Sequence, residues 1–165
     1  MTALSAHTAC IGLGSNLDDP RHQVERGLQA IAALPHTRLL RRSRLYASAP
    51  WGVADQPEFV NAAAAIETRL TPGDLMQALL GIEQAFGRTR GAQRWGPRIL
   101  DLDLLLYDDA VIDEPGLRVP HPHLHERAFV LLPLADVAPR LPVPGQGVVA
   151  ELLSRIDASG CRVLG

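Results

Sequence analysis

Arg98-Ile99-Leu100-Asp101-Leu102-Asp103-Leu104-Leu105-Leu106 alternates apolar and acidic residues before running into leucine, which is the pattern of a strand. Successive strand side chains leave on opposite faces, so Asp101 and Asp103 share one face, about 6.6 Å apart along the chain. Leu100, Leu102, Leu104 and Leu106 are expected on the other face, where they pin the register, because a slip of one residue would bury both carboxylates. Two such carboxylates repel by about 2–3 kcal/mol at an effective dielectric of roughly 20, so a cation should stand beside them. Two readings fit. One is a hard divalent ion, Mg²⁺ above all, bound together with substrate phosphates. The other is a solvated polar face paired with arginines.

Immediately upstream runs Gly87-Arg88-Thr89-Arg90-Gly91-Ala92-Gln93-Arg94-Trp95-Gly96-Pro97, which with Arg98 holds four arginines and no acid. Its glycines and proline exclude a regular helix. Guanidinium forks match phosphate oxygens two at a time. Arginines for phosphate charge and carboxylates for metal are the two halves of a phosphoryl-transfer site. All 16 basic residues of the chain are arginine. The absence of lysine excludes a P-loop lysine, a kinase strand lysine and Schiff-base chemistry.

Working back toward the N-terminus, the apolar run from Ala9 to Gly14 predicts a first strand. Asp18-Asp19-Pro20 starts a helix, Val24, Leu28, Ile31 and Leu34 give it an apolar face, and Pro35 stops it. Residues 39–47 predict a second strand and 59–70 a third. Thr71-Pro72-Gly73-Asp74 caps a second helix that carries Leu75, Leu79, Ile82 and Phe86 to Gly87. The strand around Asp101 is the fourth. This β-α-β-β-α-β order predicts an α/β (α+β) protein with a ferredoxin-like core, its mostly antiparallel sheet carrying packed helices. A hairpin near Val111 and Val119, a helix over 126–135 and another over 148–156 complete the reading.

The chain has 165 residues, suiting one domain over 1–165. At 47% hydrophobic and 21% charged it has the composition of a globular protein. A net charge of -2 argues against general nucleic-acid or membrane affinity. No stretch reaches the ~20 apolar residues of a membrane span. Residues 1–10 show no basic segment followed by an apolar run, so no secretory signal is expected and a cytoplasmic protein is. Cys10 and Cys161 are read as two separate thiols, a disulfide being the alternative.

Both tryptophans, Trp51 and Trp95, precede glycine in expected loops. Ser48-Ala49-Pro50-Trp51-Gly52, with Phe59 and Asn61 following, suits a flat heterocycle held by stacking and hydrogen bonds, against ordinary packing. His121-Pro122-His123-Leu124-His125 lacks a nearby cysteine to complete a zinc set. His121 is read as a residue of the site's rim or as part of a structural turn.

Five ordered stretches carry a family likeness. They are Ile11-Gly12-Leu13-Gly14-Ser15-Asn16-Leu17; Asp55-Gln56-Pro57 with Phe59 and Asn61; Gly87-Arg88-x-Arg90; Arg94-Trp95-Gly96-Pro97-Arg98-x-x-Asp101-x-Asp103; and Val119-Pro120-His121-Pro122 with Arg127-x-Phe129. Over about residues 9–140 the chain resembles the 6-hydroxymethyl-7,8-dihydropterin pyrophosphokinase family of folate biosynthesis. The resemblance implies transfer of pyrophosphate from MgATP to the pterin hydroxymethyl group, with release of AMP. It implies two Mg²⁺ ions on Asp101 and Asp103, and Arg88, Arg90 and Arg98 neutralising phosphate charge. Asn61 would bond the pterin edge, Phe59 and Phe129 would sandwich its ring, and the backbone of Ser48, Ala49, Pro50 and Trp51 would complete the pocket. Glu83, Trp95, His121 and Arg127 would lie against ATP, and the enzyme is expected to act as a monomer.

Asp108 and Asp109 stand where the family commonly has glycine or asparagine, and Gly116 where some relatives carry a basic residue, for which Arg118 is the candidate substitute. Two other readings remain: a palm-like nucleotidyltransferase, which would release pyrophosphate, and an RNA-binding module, which would want aromatics and arginines on the sheet face where this chain has aspartates.

Overall fold

A computed structural model describes residues 5–48, 57–87 and 99–164. Its centre is β1 (His7–Ser15), flanked by two antiparallel neighbours, β4 (Phe59–Thr68) and β5 (Asp101–Tyr107). On the far side of β4 lie β2 (Thr37–Arg42) and β3 (Tyr46–Ser48), and β10 (Cys161–Val163) extends the sheet beyond β3. Helices α1 (Pro20–Ala32) and α2 (Pro72–Ala85) make the crossovers. The sheet path β10-β3-β4-β1-β5 has the ferredoxin-like order expected of the sequence, with one strand added at its edge.

The local signals explain the helix starts. Thr71 Oγ1 accepts from the Asp74 N–H at 3.1 Å, and Pro72 fills the first turn of α2. At α1, Asp18 and Asp19 take left-handed backbone conformations with φ of 52° and 62°, and Pro20 follows.

Residues 39–47 form two strands where the sequence predicts one. Ser43 divides them. Its Oγ accepts from the Ala63 N–H at 2.8 Å, and its own N–H donates to the Ala63 carbonyl at 2.9 Å. The next N–H, of Arg44, leaves the ladder for Asp136 Oδ2 at 3.1 Å. An extra residue is thereby accommodated opposite β4, and pairing resumes with Tyr46 against Asn61.

One face of the sheet (Ile11, Leu13, Ala62, Ala64, Leu100, Leu102 and Leu104) packs on Val24, Leu28 and Ile31 of α1 and on Leu75 and Leu79 of α2. The other face packs Cys10, Ala63, Ala65, Leu105 and Leu106 under α3 (Ala128–Val137) and α4 (Val149–Ser154). Leu106 therefore departs from the expected leucine face. The β1–β5 register shifts between Cys10 and Ile11, which turns Leu106 to the side of Cys10.

The expected hairpin is β6 (Ile112–Glu114) with β7 (Leu117–Val119). Its Pro115-Gly116 turn has Gly116 at φ 76°, a conformation glycine adopts without strain, which explains glycine at that position. A 3₁₀ turn at Leu124–Glu126 precedes α3, and a small hairpin, β8 (Pro142–Val143) with β9 (Gly147–Val148), precedes α4. Cys10 and Cys161 are free thiols. They lie on strands three positions apart in the sheet, about 14 Å. No described helix is long and apolar enough to cross a membrane.

Candidate active site

Register assembles the site. Gly14 stands opposite Asn61 on one side and Asp101 on the other, and Tyr46 stands opposite Asn61 in turn. Directly opposed residues of neighbouring strands share a face. Asn61, Gly14 and Asp101 thus form one row across three strands, with Phe59 and Asp103 beside it on the same face, the latter opposite Gly12. Asn61 and Asp101 are two strand spacings apart, about 10 Å. This is the face that α3 and α4 cover farther along, at Ala63, Ala65 and Leu105.

Glycine keeps the middle of the row open. A Cβ at Gly14 would stand 3.1 Å from Asn61 Nδ2 and 3.8 Å from Phe59 Cδ1. On the far side of Asn61, Ser48 Oγ donates to Asn61 Oδ1 at 2.6 Å, and the two residues are 4% and 6% exposed.

Asp103 is exposed and Asp101 half-buried, while the leucines between and after them are buried. Among the described residues β5 is the last strand of the sheet on this side, and no described strand pairs with its outward N–H groups. Glu83 of α2, 3% exposed, supplies one: its Oε2 accepts from the Leu102 N–H at 2.7 Å. The glutamate that the family likeness sets against ATP is thus tied to the peptide between the two aspartates.

His121 is held beside β5 by its N–H, which donates to the Leu105 carbonyl at 3.0 Å. Burial, with Arg127 and His123 nearby, pushes its imidazole down from 6.5 to about 4. The ring is therefore neutral near pH 7. Its Nδ1 accepts from the His123 N–H at 3.3 Å, so the ring proton sits on Nε2, available as a donor. The Arg127 guanidinium lies 5.6 Å from the centre of the Phe129 ring. Phe129 is in the first turn of α3, which packs against β4, the strand of Phe59 and Asn61.

The predicted residues Ala49, Pro50, Trp51, Arg88, Arg90, Arg94, Trp95 and Arg98 lie outside the described residues. Two residues given no role by the sequence reading belong to the candidate site. Gly14 is one. The other is Asn16, 1% exposed, whose Nδ2 donates to the Pro57 carbonyl at 3.3 Å and ties the end of β1 to the approach to Phe59. Their signal was the Gly12-Leu13-Gly14-Ser15-Asn16 run itself. Asp108, by contrast, is remote from Asp101, at the opposite end of β5. It takes φ 48°, accepts from the Thr8 N–H at 2.9 Å and pairs with His7 at 2.5 Å. Its charge serves the strand end and is about 23 Å along the strand from Asp101. Arg118 Nε pairs with Asp113 within the hairpin at 3.2 Å.

The family model for 7,8-dihydro-6-hydroxymethylpterin-pyrophosphokinase (HPPK) matches residues 10–139. The 2-amino-4-hydroxy-6-hydroxymethyldihydropteridine pyrophosphokinase of Pseudomonas aeruginosa is 51% identical over 150 residues, 91% of this chain and 92% of its own. The protein of that name in Methylorubrum extorquens is 45% identical over 152 residues, 92% and 95% of the two chains. In fold, the chain is similar to a crystal structure of Plasmodium falciparum HPPK-DHPS, with a TM-score of 0.77 at 14% identity. That match covers 98% of this chain and spans about half, 49%, of the other. The motifs, the shared fold and this identity over most of both relatives agree, and the chain belongs to the 7,8-dihydro-6-hydroxymethylpterin-pyrophosphokinase family.

Proposed function

We propose that the row from Asn61 to Asp101 is the reaction axis of this pyrophosphokinase, with the pterin read at one end and the phosphates held at the other. The family's activity is ATP-dependent transfer of a pyrophosphoryl group to hydroxymethyldihydropterin in folate biosynthesis. This activity displaces the palm-like and RNA-binding readings. Balance of atoms sets the step: the hydroxymethyl oxygen bonds to the β-phosphorus of ATP, the bond from that phosphorus to the α-phosphate oxygen breaks, and AMP leaves while the hydroxyl proton is lost.

Asp101 and Asp103 are the proposed Mg²⁺ ligands. The donor set fits: two carboxylates on one strand face, opposite Gly14 and Gly12, whose missing side chains leave room beside them. Two ions held there would supply charge neutralisation on the phosphate oxygens. Glu83 holds the backbone that carries both carboxylates. The neutral His121 offers an Nε2–H to a phosphate oxygen without adding charge, and Arg127 adds a guanidinium nearby. Arg88, Arg90, Trp95 and Arg98 are assigned to the triphosphate from their positions in the motif, since the chain has no lysine for that task. Asn61 is assigned to the heterocycle's edge and Phe59 and Phe129 to its ring, and Ser48, Ala49, Pro50 and Trp51 are assigned to the pocket from their positions in the motif. The two cores packed on the faces of one sheet support a one-domain reading over 1–165, the enzyme is proposed to act as a monomer, and free thiols at Cys10 and Cys161 suit the reducing cytoplasm.

The observation that carries this reading is the common row of Asn61, Gly14 and Asp101. The test is incubation with ATP, Mg²⁺ and hydroxymethyldihydropterin. AMP should appear mole for mole with pterin consumed; release of pyrophosphate, or ADP in place of AMP, would overturn it.

A further inference from the structure

We infer that the Ser48 hydroxyl is a positioning residue that sets the orientation of the Asn61 amide, and so decides which pteridine the pocket accepts; this rests on the proposed role of Asn61. A primary amide turned by half a rotation keeps its shape but exchanges donor for acceptor. Ser48 Oγ donates to Asn61 Oδ1 at 2.6 Å, which holds the oxygen on the β3 side. Nδ2 then faces Gly14, 3.1 Å from where a Cβ would stand, and among the described residues it has no hydrogen-bond partner. A buried asparagine thus presents its donor to the open middle of the row.

Reversal is disfavoured by the hydroxyl proton. Among the described residues, Asn61 Oδ1 is the acceptor for Ser48 Oγ, so turning the amide would strand that proton in a buried site. The backbone beneath the hydroxyl is braced from outside the pocket. Cys161 of β10 pairs with Ser48, and Arg162 grips Glu58, next to Phe59, with two bonds of 2.8 and 2.9 Å. The C-terminal strand, for which the sequence offers no motif, therefore belongs to the support of this amide.

A 4-oxo pterin carries an acceptor at position 4 and an N–H donor beside it at position 3; a 4-amino pteridine carries the reverse. The Nδ2–H donor held in this orientation, aimed at position 4, complements the 4-oxo acceptor and opposes the 4-amino donor. Binding of hydroxymethyldihydropterin and of its 4-amino counterpart should be measured by titration for the wild type, Ser48→Ala, Ser48→Thr, Asn61→Ala and the Ser48→Ala/Asn61→Ala double variant. Ser48→Ala should lose roughly 3- to 10-fold in affinity for the 4-oxo compound, with its preference over the 4-amino compound shrinking by a similar factor. Ser48→Thr should restore both, and nucleotide affinity should stay unchanged throughout. In the Asn61→Ala background Ser48→Ala should add little, since it acts through that amide. Unchanged affinity and preference in Ser48→Ala, alongside a loss in Asn61→Ala, would overturn the positioning role alone. No effect of Asn61→Ala would remove the Asn61 assignment and this inference with it. Should Ser48→Ala not fold, Ser48→Cys, close in size and a weaker donor, should show an intermediate loss of preference, and wild-type behaviour there would refute the role.

Discussion

The carboxylate of Glu83 accepts a hydrogen bond from the backbone N–H of Leu102 at 2.7 Å, at the peptide that joins Asp101's strand position to Asp103's. A helix side chain thereby completes the outer edge of the strand that bears the proposed metal ligands. Glu83→Ala leaves a buried N–H unpaired and should cost about 1–3 kcal/mol of stability. Urea unfolding would measure that loss. Mg²⁺-dependent nucleotide affinity should fall in the same variant, while pterin affinity in the absence of nucleotide should not.

Asp101→Asn and Asp103→Asn should each abolish turnover at ordinary Mg²⁺ while leaving the thermal midpoint equal or higher, because a like-charge pair on one strand face is relieved. Steady-state assay and a thermal melt on the same preparation separate the two effects. Substantial turnover in either variant would remove that residue from the metal site.

Gly14→Ala places a methyl group 3.1 Å from Asn61 Nδ2, tight enough that the amide must give by a few tenths of an ångström. The expected result is weaker pterin binding with little change in Tm, since Gly14 is not among the glycines of positive φ. Titration with hydroxymethyldihydropterin and a thermal melt check both halves.

The His121 imidazole is depressed from 6.5 to about 4, so the fold favours its neutral form. The unfolded chain binds the proton more readily, and stability rises with pH wherever that holds. Its contribution is complete above pH 6.5 and is lost as pH falls from 6.5 through about 4. His121→Gln should flatten that part of the stability profile, measured by urea unfolding at stepped pH. A wild-type slope in the variant would place the acid sensitivity elsewhere.

Asp136 joins α3 to β3: it accepts from Arg44 N at 3.1 Å, Arg44 Nη2 at 3.0 Å and Tyr46 Oη at 2.8 Å. Burial would raise its carboxyl, but the Arg44 and Tyr46 hydrogen bonds outweigh burial and hold it below the ordinary carboxylate range. Asp136→Ala should lower stability by roughly 1–3 kcal/mol. Because Tyr46 stands opposite Asn61, pterin affinity should fall as well. Chemical denaturation and pterin titration report the two consequences.

The sequence by itself determined the pieces whose cause is local. The Leu/Asp alternation put two carboxylates on one face of a strand, the Thr71-Pro72 start and the leucine spacing of α2 made a helix, and the absence of lysine excluded a P-loop lysine and Schiff-base chemistry. Each depends on neighbours within a turn or a pleat, so a short window contains the reason. Tertiary structure alone decided what depends on register between distant segments. It set Asn61, Gly14 and Asp101 in one row, divided residues 39–47 at Ser43, turned Leu106 to the α3 side at a register shift, and brought β10 against Ser48. Those outcomes turn on which backbone groups and side chains of remote strands meet, and a shift of one residue in pairing changes the face of every side chain beyond it.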